Sequence, residues 1–328
     1  MNVTFRLKQS RSMLRLIQPT SLTSNNFIYP IFVREDGKTY PIPSMNNQNY
    51  LSIKGAVDVC SKVVDLGVPA VLVFGVISHR DADASVALKE GNFHGKVFSA
   101  LKKEFGDGLV LISNVCLCDY TKNDFCVYSD KGRVLSEKTA KMLAKISVVH
   151  AEAGADVIAP AAMCDGQVKH IRQALDDSGL CNIVIMSYMK TNSCLFQPFY
   201  EAMANSNAQR NGIDPSKFRS DVINEKLFMQ KVSLDLDEGA DMLIVKPALV
   251  NLDLILRVKQ SYPTTPIAAY QVSGEYMSIK LLSENTHINE DKMIMESLNS
   301  IRRAGADMII TYNALQAVPL INHHEKNK

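Results

Sequence analysis

Short apolar runs alternate with amphipathic stretches along almost the whole chain. Eight runs stand out, at residues 27–33 (FIYPIFV), 70–75 (AVLVFG), 109–115 (LVLISNV), 156–160 (DVIAP), 183–188 (IVIMSY), 242–247 (MLIVKP), 267–272 (IAAYQV) and 308–313 (MIITYN). Runs this short, with few polar interruptions, predict strands buried on both faces. Between most of them the apolar period lengthens to that of a helix, as at 56–65, 137–153, 166–177, 219–237 and 291–303. A short phrase marks the junctions. Glu152-Ala-Gly-Ala-Asp156 precedes VIAP, Glu238-Gly-Ala-Asp241 precedes MLIVKP, Arg303-Ala-Gly-Ala-Asp307 precedes MIITY, and a looser copy at Leu66-Gly-Val-Pro-Ala70 precedes VLVFG. Glycine suits the left-handed residue that ends a helix, so each phrase reads as helix, stop, strand. Eight such units predict an α/β fold closed into a (β/α)8 TIM barrel. The alternative, an open doubly wound sheet, lacks its Gly-rich first turn, because GxGxxG occurs nowhere.

The 328 residues suit one such barrel with extensions, and 46% hydrophobic with 21% charged residues is ordinary for a globular protein. A net charge of +2 predicts neither a nucleic-acid nor an anionic-membrane partner. No apolar run has the length of a membrane span or the shape of a secretory leader, so the expected location is intracellular and cytoplasmic. Residues 1–34 carry Arg6, Lys8, Arg11, Arg15 and Arg34 with no acidic residue. That composition fits an organelle transit segment, or an arm packed on a neighbouring subunit. The absence of a cleavage-like break before the first strand favours the arm. The expected organisation is therefore an oligomerisation arm at 1–26 and a catalytic barrel at 27–328, with a lid over about 190–218.

In such barrels reactive groups sit at the C-terminal ends of the strands. The sixth run ends on Lys246, with Pro247 behind it. An ammonium held at a buried rim loses hydration and becomes a neutral nucleophile near pH 7; one that snorkels to solvent does not. The fifth run leads into Lys190, and two adjacent cations disfavour each other's charge. Ser273, Tyr312 and Arg210 offer hydroxyls and a guanidinium for a substrate carboxylate. Core packing for Tyr312 and surface exposure for Arg210 are the ordinary alternatives.

Seven cysteines, an odd number, do not suggest a disulfide framework. Cys116, Cys118 and Cys126 form C-x-C-x7-C at the third strand's end. Three thiolates suit Zn²⁺ and leave a fourth position open, as in a catalytic site; without metal they are buried or oxidisable thiols. His150 and His170 fall in helical patterns and read as surface or packing residues rather than fourth metal ligands. The long connection after Lys190 has Phe196, Phe199 and Tyr200 as apolar anchors, which suits a lid that excludes water.

These residues resemble the porphobilinogen synthase (5-aminolevulinate dehydratase) family over nearly the whole chain. The marks are YPIFV (29–33), PIPSM (41–45), the cysteine loop, AGADVIAP (153–160), MCDGQV (163–168), IRQALD (171–176), IMSY followed by Lys190, VKPA (245–248), YQVSGEY (270–276), ESLNSIRRAGAD (296–307) and the Tyr312 strand. The resemblance implies a homo-oligomer, octamer or hexamer, that condenses two 5-aminolevulinate molecules into porphobilinogen with loss of two waters, in tetrapyrrole biosynthesis. It implies that Lys246 forms a Schiff base with the propionate-side substrate and Lys190 with the acetate-side one. It further implies that Cys116, Cys118 and Cys126 bind the zinc that polarises the second substrate. Ser273 and Tyr312 match groups on the first carboxylate, and Arg210 matches one of two arginines on the second.

Several positions depart from the family pattern. Asn114 stands where Asp is usual, and Tyr200 where the lid usually has arginine, after Pro198-Phe199. One residue is missing between Tyr188 and Lys190, and the lid near Arg210 is shorter than usual. Asn224, with Glu225 beside it, occupies the place of a glutamate that holds allosteric magnesium in some members, so magnesium activation is not expected. These losses keep open a diverged paralogue acting on another small keto acid, or a zinc-binding regulatory protein. A Schiff-base aldolase is a third reading, but it leaves the cysteine loop idle.

Overall fold

Eight parallel strands lie side by side in chain order: β1 (Phe27–Arg34), β2 (Ala70–Val76), β3 (Val110–Val115), β4 (Val157–Pro160), β5 (Val184–Lys190), β6 (Met242–Lys246), β7 (Ile267–Gln271) and β8 (Met308–Thr311). The last pairs back onto the first, with Phe27 opposite Ile309, so the sheet is a closed barrel. This computed structural model describes residues 3–122, 126–193 and 217–326. Nine helices among the described residues surround the barrel: α1 (Ile53–Asp65), α2 (Phe93–Phe105), α3 (Ser136–Glu152), α4 (Gln167–Asp177), α5 (Glu225–Asp237), α6 (Leu252–Ser261), α7 (Ser273–Asn285), α8 (Glu290–Arg303) and α9 (Ala314–Lys326). Ile112, Ile158, Ile185, Leu243 and Ile309 are all buried, as strands covered on both faces require.

The repeated Gly-Ala-Asp phrase has a mechanical purpose in this ring. Asp156, Asp241 and Asp307 each accept a backbone N–H from the neighbouring strand, from Leu111 at 2.9 Å, Ile185 at 2.8 Å and Ile267 at 2.9 Å. Each carboxylate thus satisfies a donor at the bottom of the barrel and sets the entry of its own strand. The glycines before them take φ of 102–113°, and a Cβ at Gly154 would sit 2.8 Å from Lys102 Cβ. Only glycine fits there.

One close approach governs the packing of α2. The His94 ring is buried, lies 5.1 Å from and nearly parallel to the His150 ring, and its nitrogens have no hydrogen-bond partner among the described residues. Burial pushes the His94 pKa down to about 3, so the ring is neutral. His150 is in turn held by Ser113 Oγ at 2.6 Å and Tyr120 Oη at 2.8 Å. A Cβ on Gly75 would overlap His94 Nε2, in a ring already stacked on His150 and packed against Tyr120. Gly75→Ala is expected to destabilise the fold by roughly 1–3 kcal/mol, read as a lowered urea midpoint at unchanged slope.

Two boundaries differ from the expectation. The helix expected from 219 starts at Glu225, because Asn224 caps it by accepting from Leu227 N–H at 3.1 Å. Residues just before it run instead along the end of β5, where Ser220 N–H donates to Lys190 O at 3.1 Å. β5 itself continues past Tyr188 to Lys190. At the N-terminus, residues 4–19 are all exposed, among them Phe5 and Leu16, and contain two short helices, Val3–Arg6 and Arg11–Leu16.

Candidate active site

Lys190 and Lys246 are direct partners in the β5–β6 register. Paired residues of parallel strands project on the same face, so both amines emerge together at the C-terminal mouth. The two-residue period adds Tyr188 to that face and turns Ser187 outward, where its hydroxyl donates to Asp235 of α5 at 2.6 Å. The Tyr188 ring lies 5.7 Å from Lys190 Nζ and 6.0 Å from Lys246 Nζ, and the Tyr270 ring 5.1 Å from Lys246 Nζ. Both lysines are 5% exposed. Burial, then the charges of Lys190 and Arg219, push the Lys246 pKa down to about 7. The residue missing before Lys190 therefore leaves no gap: an unbroken strand delivers the lysine opposite its partner.

The loops behind the pair are tied together. Thr191 N–H donates to Lys246 O at 3.0 Å, and Asn251 Nδ2 donates to Thr191 Oγ1 at 2.9 Å and to Pro247 O at 2.7 Å. Lys190 Nζ donates to Ala161 O. Tyr312, buried at the end of β8, shares a 3.0 Å hydrogen bond with Tyr270. Ser273 opens α7, is 1% exposed, and its hydroxyl has no hydrogen-bond partner among the described residues. A buried hydroxyl of this kind is rare unless a ligand or solvent completes it.

The sulfurs of Cys116, Cys118 and Cys126 all lie within 4.8 Å of one another. Hydrogen bonds from Cys116 and then Cys118 pull the Cys126 thiol below its ordinary pKa. Three converging sulfurs can hold a soft metal ion. Asn114 donates from Nδ2 to Asp119 Oδ2 at 3.2 Å, and Cys118 Sγ lies 3.6 Å from Asp119 Oδ1. A carboxyl thus stands beside the cluster although position 114 lacks one, and burial raises it to about 7. His150 is engaged with Ser113 and Tyr120, and His170 Nδ1 lies 2.8 Å from Gly166 O.

Arg210, Tyr200 and most of the expected lid lie outside the described residues. Arg219, which pattern reading passed over, lies next to Ser220 and hence beside the end of β5, and its charge reaches both Lys246 and Cys126. It lines a cleft of about 450 Å³ with Met163, Lys217 and Ser220. Tyr188, Tyr270 and Asp119 were also passed over; the period of two from Lys190 was the available signal for Tyr188.

The sequence profile of the Delta-aminolevulinic acid dehydratase family matches residues 2–320. Proteins named delta-aminolevulinic acid dehydratase are similar to this chain: one from Synechocystis sp. is 42% identical over 318 residues, covering 95% of this chain and 96% of the relative. One from Bacillus subtilis is 39% identical over 315 residues, covering 95% of each. Among solved structures, delta-aminolevulinic acid dehydratase (porphobilinogen synthase) from Toxoplasma gondii ME49, in complex with the reaction product porphobilinogen, superposes with a TM-score of 0.92 at 30% identity, covering 98% of this chain and 91% of that one.

Proposed function

The chain belongs to the delta-aminolevulinic acid dehydratase family, and from that premise we propose that its rim lysines and cysteine cluster carry out the condensation of two 5-aminolevulinate molecules to porphobilinogen. The observation that carries the mechanism is the in-register, buried pair Lys190 and Lys246. A Lys246 amine that is partly neutral at pH 7 attacks the ketone carbon of the first substrate; a C–N bond forms, the carbonyl oxygen leaves as water, and an imine remains. Lys190 forms the corresponding imine with the second molecule. The two bound molecules then join through one C–C bond, after which elimination expels one lysine as its amine, and one C–N bond, in which a substrate amino group displaces the other lysine. Neither release consumes water, so the overall reaction sets free the two waters lost in imine formation. Ser273 and Tyr312 receive the first molecule's carboxylate, which supplies the partner that Ser273 Oγ lacks among the described residues.

Cys116, Cys118 and Cys126 would hold a zinc ion, which supplies Lewis-acid polarisation of the second substrate. Arg210 and Tyr200, outside the described residues, are assigned to the second carboxylate in this reading, and Arg219 adds a described cation beside the same lysines. Asn224 and Glu225 are engaged as a helix cap and with Arg257, and magnesium has no part in the proposal. The exposed apolar residues of 4–19 support an arm that packs on another copy, in an octamer or hexamer. Among the described residues no helix is long and apolar enough to cross a membrane. The bacterial and archaeal relatives support a cytoplasmic location.

The test combines two readouts on one preparation. A colorimetric assay is expected to detect porphobilinogen from 5-aminolevulinate, and borohydride is expected to trap a substrate adduct that peptide mass spectrometry assigns to Lys246. Neither product nor adduct in zinc-supplemented protein would reject the reading.

A further inference from the structure

Glu275 is 1% exposed, two residues after Ser273, and the mechanism above assigns it nothing. Its carboxylate reaches both segments that build the first substrate's site. Oε1 accepts from Leu249 N–H at 2.5 Å, while Oε2 accepts from Val272 N–H at 2.6 Å and from Ala248 N–H at 3.4 Å. Ala248 and Leu249 belong to the turn directly behind Lys246, and Val272 directly precedes Ser273.

A glutamate in the first turn of a helix commonly bonds back to the N–H at that helix's own start, and the Val272 contact is of this kind. The Leu249 and Ala248 contacts are different, because they cross to the loop of the adjacent strand. Three N–H groups converge on Glu275, a set that suits the ionised carboxylate because it only accepts; these bonds oppose the burial that raises its pKa to about 7. An amide in its place would turn one donor against another.

We propose that Glu275 is a positioning residue that clamps the turn behind Lys246 to the start of α7, fixing the distance between the amine that takes a ketone and the Ser273 hydroxyl that takes the same molecule's carboxylate. This rests on the roles given to Lys246 and Ser273 above. A clamp of this kind selects the spacing between ketone and carboxylate in the first substrate. Loss of the clamp would leave the amine reactive but misaligned, and misplacements of about 1 Å cost on the order of 10²-fold in rate.

The test compares borohydride trapping of two probes on Lys246 in the full-length protein, read per folded molecule. 4-Oxopentanoate has the ketone and carboxylate at the substrate's spacing, and butanone has the ketone alone. In the unmodified protein the keto acid is expected to be trapped far faster than the ketone. In Glu275→Gln that ratio is expected to fall by roughly 10- to 100-fold, with the butanone rate little changed. Glu275→Asp keeps the charge but loses one methylene of reach; it provides the second variant if the amide does not fold, and the ratio should fall there too. A merely structural role would lower both rates together. An unchanged ratio in a folded variant overturns the inference, as does failure of both variants to fold, since the carboxylate would then determine the fold rather than the alignment. If the unmodified protein traps neither probe, the assignment of Lys246 fails instead.

Discussion

Lys246→Met is expected to lower porphobilinogen formation by at least about 10⁴-fold and to leave borohydride-stable adduct on Lys190 alone, while the urea midpoint stays the same or rises. The loss is large because no other described group offers a neutral amine at that place on β6, and a thioether cannot form an imine. Stability is expected to hold because methionine is of similar volume and suits a site that strips hydration from an ammonium. The unmodified protein should reveal the same group through pH. With the pKa of Lys246 pushed down to about 7, the neutral fraction grows as pH rises. Adduct formation should therefore climb about tenfold per pH unit below 7 and level off above it. Undiminished adduct in Lys246→Met, or a rate that keeps climbing towards pH 10, would remove this lysine from the mechanism.

Removal of the cysteine cluster should have the next largest effect. Cys126→Ala takes away one of the three converging sulfurs. Zinc content is expected to drop from about one ion per chain to none. Turnover should fall by about 10³-fold, the scale of several kcal/mol of charge stabilisation. Trapping of 4-oxopentanoate on Lys246 should survive, because the cysteines are assigned to the second substrate. Activity in the unmodified protein should likewise disappear on dialysis against a chelator and return with zinc. A zinc-stripped preparation with full turnover would count decisively against the assignment, and loss of the Lys246 adduct in Cys126→Ala would show that the cluster serves both substrates.

Much of the scaffold could be read directly from periodicity. Eight apolar runs alternating with amphipathic segments have few ways to hide their surfaces, and closure into a ring hides them all. The repeated Gly-Ala-Asp phrase announced the junctions, and only the fold showed that its carboxylates bond to the neighbouring strand. The cysteine spacing likewise announced a cluster, since a C-x-C-x7-C segment is short enough to fold back on itself. Lys246 was legible as a cation ending a buried strand.

The relation between groups far apart in the chain was not legible. Lys190 looked displaced by a missing residue, and only the continuation of β5 showed that it pairs with Lys246. Asn114 carries no charge, and only the fold shows that its amide bonds to Asp119. Glu275 looked like one more letter of a motif, yet its carboxylate spans two strands' loops. The division has a physical origin. Strand burial, helix stops and a short cysteine loop are local consequences of side-chain type and spacing, so the linear order of residues contains them. Register between neighbouring strands, the hydration left to an amine and the partners of a buried carboxylate depend on groups brought together only when the ring closes.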